Sequence, residues 1–163
     1  MTKLTSKQVT DYFSRSYKAV DGLWFMKVEE KHGFDVALDL DNEVWKVMPK
    51  IQVRMIKSFL GLETGPDALF EAIVTKLELD GFTFSAEKTE NGFKITITDC
   101  PWNNLMIKSG REHLAGAVGE TICQTEYDVW VSELAQNMRF ELKSQKCKDK
   151  PSCVLEFVQN YVP

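Results

Sequence analysis

The hydrophobic pattern of this chain changes period after residue 80, and that change limits the folds open to it. "FTFSAEK" alternates, with Phe82, Phe84 and Ala86 on one face, and "GFKITITD" alternates with Phe93, Ile95 and Ile97 together. Between them lies "TENG", whose Asn91-Gly92 pair favours the positive φ angles of a tight hairpin turn. Before this hairpin the spacing is helical. Residues 6–31 place Val9, Phe13, Val20, Leu23 and Trp24 at helical intervals, with Ser6 as a cap, Gly22 as a bend and Gly33 after the end. A short connector follows. A second helix then carries Val44, Val47, Met48, Ile51, Met55 and Phe59 on one face, and Pro49 should kink or divide it. "GPDALFEAIVTKLELDG" is a third helix, opened by Pro66 and closed by Gly81.

After the hairpin, residues 101–117 read as one or two short helices broken near Gly110, and residues 120–136 as a longer one. "MRFELK" and "SCVLEFVQNY" are two further strands, joined by a polar loop that contains Cys147. The order is a helical half (6–80), a hairpin (82–99), helices (101–136) and a hairpin (138–160). This grouping predicts a single α+β domain, an antiparallel sheet of two hairpins packed against several helices. It disfavours alternating β-α-β units, and no glycine-rich phosphate loop is present.

A chain of 163 residues suits one domain and can bury a core without staples. The net charge is −4 and the basic residues are dispersed, which argues against a nucleic-acid partner. No apolar run approaches a membrane span, and "MTKLTSKQVTDYF" lacks the apolar core of a signal peptide. The expectation is a cytoplasmic protein with no membrane partner and with its four cysteines reduced.

Two of these cysteines stand at predicted helix starts. Cys100 precedes Pro101, and Cys123 falls in the first turn of a helix beginning near Glu120. The unpaired N–H groups there favour a thiolate and lower a thiol pKa. The plainer reading is that free cysteines pack as small hydrophobes. Along the Cys123 helix, Glu126, Tyr127 and Trp130 share its face, and a thiol, carboxylate and phenol on an apolar wall would suit a small-molecule ligand. In the plainer reading Tyr127 and Trp130 are core and Glu126 is a solvated flank. His113 could pair with Cys123 as a proton carrier, and Arg111 could hold a carboxylate, though both could equally be surface residues. Cys153 begins a strand and should point inward. Cys100, Cys123 and Cys153, with or without His113, would form a zinc site only if the fold brought them together, since no C-x2-C pair is present.

The elements "DCPW", "GR", "ICQTEYDVWVSEL" and "CVLEF", with "WFMKVEEKHGFDVALDLDNEVW" in the first half, resemble the L-2-amino-thiazoline-4-carboxylic acid hydrolase-like family. More distantly they resemble 4-vinyl reductase-like domains. The resemblance implies a thiol-dependent hydrolase of a small cyclic or amide-like substrate. On this enzyme reading Cys123 would be the nucleophile, Glu126 or His113 would move protons, and Arg111, Tyr127 and Trp130 would bind substrate, with either no cofactor or a zinc ion. Glu126 stands where that family often has Asp, and the arginine that commonly follows its last-strand motif is missing after Phe157. The 4-vinyl reductase-like alternative implies a non-catalytic module that senses or binds a small molecule, a metal or a redox signal, with Cys100, Cys123 and Cys153 as ligands. The partners expected are a small-molecule ligand and, as an option, a second copy in a homodimer.

Overall fold

The computed structural model describes residues 3–160, so Tyr161 of the predicted last strand lies outside the described residues. The chain divides into two compact units, Met1–Asp41 and Asn42–Pro163. The first contains α1 (Ser6–His32) and the start of α2 (Phe34–Trp45). Thr5, not Ser6, caps α1. Its hydroxyl accepts from the Gln8 N–H while the Gln8 side chain accepts from the Thr5 N–H. Gly33 closes the helix at φ +87, and Gly22 does not interrupt it. Within this unit Phe25 meets the edge of Phe34, with centroids 5.9 Å apart.

The segment read as a connector is the helix α2. Pro49 does divide the apolar run, standing in the first turn of α3 (Met48–Leu60). Trp45 is anchored edge-on against Trp102, with centroids 5.9 Å apart, and Thr125 donates to Asn42 over 2.6 Å. The predicted inward face of α3 points outward instead. Val47, Ile51, Met55 and Phe59 are exposed, whereas Pro49, Val53 and Ile56 are buried. The helix carries two apolar stripes, and the one shared with α4 and α6 is the inner one. α4 (Pro66–Asp80) ends at Gly81 in the left-handed region, as its sequence predicts.

The α+β class holds. Strands β1 (Thr83–Thr89), β2 (Gly92–Asp99), β3 (Met138–Ser144) and β4 (Cys153–Gln159) form one antiparallel sheet in the order β1-β2-β4-β3. The hairpin turn is centred one residue earlier than the sequence suggests. Thr89 pairs with Gly92, which leaves Glu90 and Asn91 at the bend, and Asn91 does not take a positive φ. Gly92 is needed for another reason: its φ is +153, and a Cβ there would lie 1.9 Å from the Phe157 carbonyl oxygen. The glycine lets β2 approach β4 closely.

Register aligns Phe93, Phe157 and Phe140 across three strands. Phe93 stacks on Phe157 at 4.5 Å, and Phe140 lies 5.2 Å from Phe157. α5 (Pro101–Lys108) and α6 (Glu112–Leu134) connect the two halves of the sheet. The break expected near Gly110 separates α5 from α6, but α6 is longer than predicted, because it continues through the gap expected before residue 120 and through Gly116 and Gly119. Both face the β3–β4 connection: an added Cβ would meet Lys148 and the Cys147 carbonyl at Gly116, and the Cys147 sulfur and Gln145 at Gly119. The glycines mark close packing, and Lys148 reaches Glu120 across the same contact at 2.6 Å.

Gly92→Ala is expected to destabilise the protein by about 3 kcal/mol or more, since backbone crowding adds to strain. Gly61→Ala, at φ +64 with open space around it, is expected to cost only about 1 kcal/mol. Urea unfolding of the two variants measures the difference, and equal costs would refute the close-approach role of Gly92.

Candidate functional site

The site is built where α4 and α6 meet above the sheet. On α4 the inward stripe is Leu69, Ala72, Ile73, Lys76 and Leu77, so a lysine occupies a core position and is 3% exposed. On α6, Tyr127 sits on the phenylalanine ladder, 5.0 Å from Phe140 and 5.8 Å from Phe157. That contact turns the preceding residue, Glu126, inward as well, and it is 6% exposed. Lys76 Nζ lies 2.8 Å from Glu126 Oε1 and 3.2 Å from Asp80 Oδ2. The same ammonium faces the rings of Phe82 and Tyr127, 5.2 and 5.5 Å from their centroids. One cation is thus enclosed by two carboxylates and two aromatic faces.

The electrostatics follow from burial. Burial alone would lower the Lys76 pKa, but Glu126, Tyr127 and Asp80 together hold it well above the ordinary lysine value. Burial raises Glu126 above the usual carboxylate range even though Lys76 opposes the shift. Burial also pushes the Tyr127 phenol well up.

Cys100, Cys123 and Cys153 all pack against the core beside this group. Cys100 does stand at the N-terminal cap of α5. Backbone N–H groups of Asn103 and Trp102 pull its pKa down, but burial outweighs them and carries it up to about 11. Cys123 is not at a helix start. α6 begins at Glu112, which leaves Cys123 in mid-helix without the field of a helix end. Burial, and next the nearby Glu126 charge, push its thiol well up. Both sulfurs are protonated at neutral pH, the reverse of the predicted activation. The Cys153 sulfur accepts from the Lys146 N–H over 3.2 Å. Cys147 lies in the 3-10 turn Lys146–Lys148, outside the group.

The other predicted residues separate. A continuous α6 sets His113 roughly 15 Å and Arg111 roughly 18 Å along the helix axis from Cys123. His113 is exposed, and Arg111 occupies the position that caps α6. Neither can act on Cys123, so the Cys–His pair is corrected. Glu126 is not a solvated flank. Tyr127 and Trp130 are core residues, and the Trp130 indole N–H is buried with no hydrogen-bond acceptor. Among the described residues no group of three or more His, Cys, Asp and Glu side chains is arranged to hold a metal ion, so Cys100, Cys123 and Cys153 do not form the zinc set considered. Lys76 was missed by the sequence reading. Its one signal is a lysine in phase with Leu69, Ile73 and Leu77 on an otherwise apolar face.

Residues 3–158 match the model of DUF6125, described as a family of unknown function. The chain belongs to this family. Neither the curated proteins nor the solved structures contain a match. In this DUF6125 chain no helix among the described residues is long and apolar enough to cross a membrane.

Lys76→Met would leave the Glu126 and Asp80 carboxylates without their cation and is expected to cost about 3–5 kcal/mol at neutral pH. Without the ammonium the Glu126 pKa rises further, so the native state of the variant binds more protons than the unfolded state. Its stability should therefore increase as pH falls from neutral toward the unfolded carboxylate value of about 4.3. The double variant Lys76→Met/Glu126→Leu is expected to regain most of the loss. Urea titrations at neutral and mildly acid pH test this, and a Lys76→Met variant as stable as the parent at both would refute the pairing.

Proposed function

We propose that this chain is a small-molecule-binding module, with the ligand held at the Lys76, Glu126 and Asp80 group beside Cys100 and Cys123. The observation that supports this reading is a convergent set of charges packed among rings, aliphatic side chains and thiols. A few placed polar groups on an apolar lining are the usual composition of a small-ligand site. One ammonium stands against two carboxylates, so the group complements a ligand that donates hydrogen bonds or carries an amine. The rings of Phe82 and Tyr127 already accommodate one cation and suit another.

The hydrolase-like reading fits less well. A nucleophilic cysteine works as the thiolate, and burial opposes that form at both Cys100 and Cys123. The imidazole that would take the proton is three turns away along α6. The resemblance to thiazoline-carboxylate hydrolase-like and 4-vinyl reductase-like proteins supports the cysteine-bearing end as the place of ligand binding, and the second of these supports a role without catalysis.

Two measurements decide between the readings. Iodoacetamide labelling of Cys123, followed by peptide mass spectrometry, is expected to be slow at neutral pH and to accelerate only above the free-thiol pKa of about 8.5. Fast labelling at neutral pH would restore the nucleophile. A thermal-shift screen of small amines is expected to raise the melting temperature of the parent and to lose its effect in Glu126→Gln. A screen in which no compound distinguishes the two proteins would remove the binding reading.

A further inference from the structure

The exposed side of α3 has a pattern that the core does not explain. Val47, Ile51, Met55 and Phe59 recur every fourth residue and are 55%, 46%, 45% and 75% exposed. Lys46, Lys50 and Arg54 run one position ahead of each of the first three, Lys46 being ion-paired with Glu43 of α2 within the chain, and α3 itself contains no acidic residue. Its outer side is a basic stripe laid along an apolar one. α2 carries the opposite design. Val36, Leu40 and Val44 are exposed at the same spacing, and Asp35, Asp39 and Glu43 run one position ahead of them. Each helix thus presents a column of apolar side chains bordered by a column of charge, acidic on α2 and basic on α3.

We infer that these two stripes dock on each other between two copies of the chain, α2 of one copy against α3 of the other. Three observations favour a second copy as the occupant. The charges are complementary in sign, at the same four-residue spacing, which sets register and suppresses wrong partners. Seven large apolar side chains stand exposed along the two stripes, three on α2 and four along α3, and columns of exposed apolar side chains mark interaction surfaces. Both stripes also belong to the same chain, so each copy can supply the partner stripe for another. An anionic membrane would attract α3 but repel the carboxylates of α2, which makes it the weaker occupant.

The test is a charge exchange read by light scattering with size-exclusion chromatography on the full chain. The parent is expected to be a dimer that weakens as salt rises. Lys50→Glu/Arg54→Glu alone and Asp35→Lys/Asp39→Lys alone are expected to weaken the dimer by roughly a hundredfold, because each sets like charges against one another. Mixing the two variants should make both α2–α3 contacts opposite in sign again, one as in the parent and one with its charges exchanged, and give a mixed dimer. All four positions lie on the outer stripes, and circular dichroism confirms folding of each variant. A parent that stays monomeric at the highest soluble concentration overturns the inference. So does a dimer unaffected by both charge reversals, or a monomeric parent that floats with phosphatidylserine vesicles through α3.

Discussion

The rest of the structure depends on one packing contact, Tyr127 of α6 seated on the ring ladder of Phe93, Phe157 and Phe140. The ladder exists only in one register of β2, β4 and β3, and a slip of one residue by any of these strands would carry its ring to the other face of the sheet. Gly92 permits that register by removing the Cβ that would strike β4. Once Tyr127 is seated, the rotation of α6 about its axis is set, and with it the side of the helix that faces α4. Glu126 is carried inward by this rotation.

The buried ion group follows from the same contact. Desolvation of Lys76 and Glu126 offsets much of their attraction, so the pair adds little net stability over well-packed apolar residues. Its effect is on placement. Moving α4 along α6 by one turn would strand an ammonium and a carboxylate in the core, while the observed placement gives the ammonium two carboxylates and two ring faces. The same low-dielectric surroundings keep the adjacent thiols protonated, so one environment holds a charged pair and quiets the cysteines beside it.

Glycine beside or within the helices has two uses in this chain that look alike in sequence. Gly33 and Gly81 end helices in positive-φ conformations. Gly116 and Gly119 lie within α6 and admit the β3–β4 connection against it, at a propensity cost of about 1 kcal/mol each that packing offsets. The break expected near Gly110 is present, but α6 then runs on through residues 117–120, and expecting a new helix near Glu120 is what placed Cys123 at a helix start. The same ambiguity affects apolar residues on α3, where two stripes are each helical in period and only one is buried.

The sequence by itself determined the class of the fold, the strand faces and the C-terminal ends of α1 and α4. Each of these rests on interactions within a few residues: alternation, capping and the φ preference of glycine. It also contained the opposed charge columns of α2 and α3, which are periodic and local. Tertiary structure decided which stripe of α3 is inside, that Glu126 is buried, and that Lys76 is its partner. Those outcomes depend on contacts between elements distant in the chain. A side chain's polarity records what it can pair with but not what the fold brings to it. His113 and Cys123 illustrate the converse, since ten residues in one continuous helix hold them a fixed distance apart that no side chain spans.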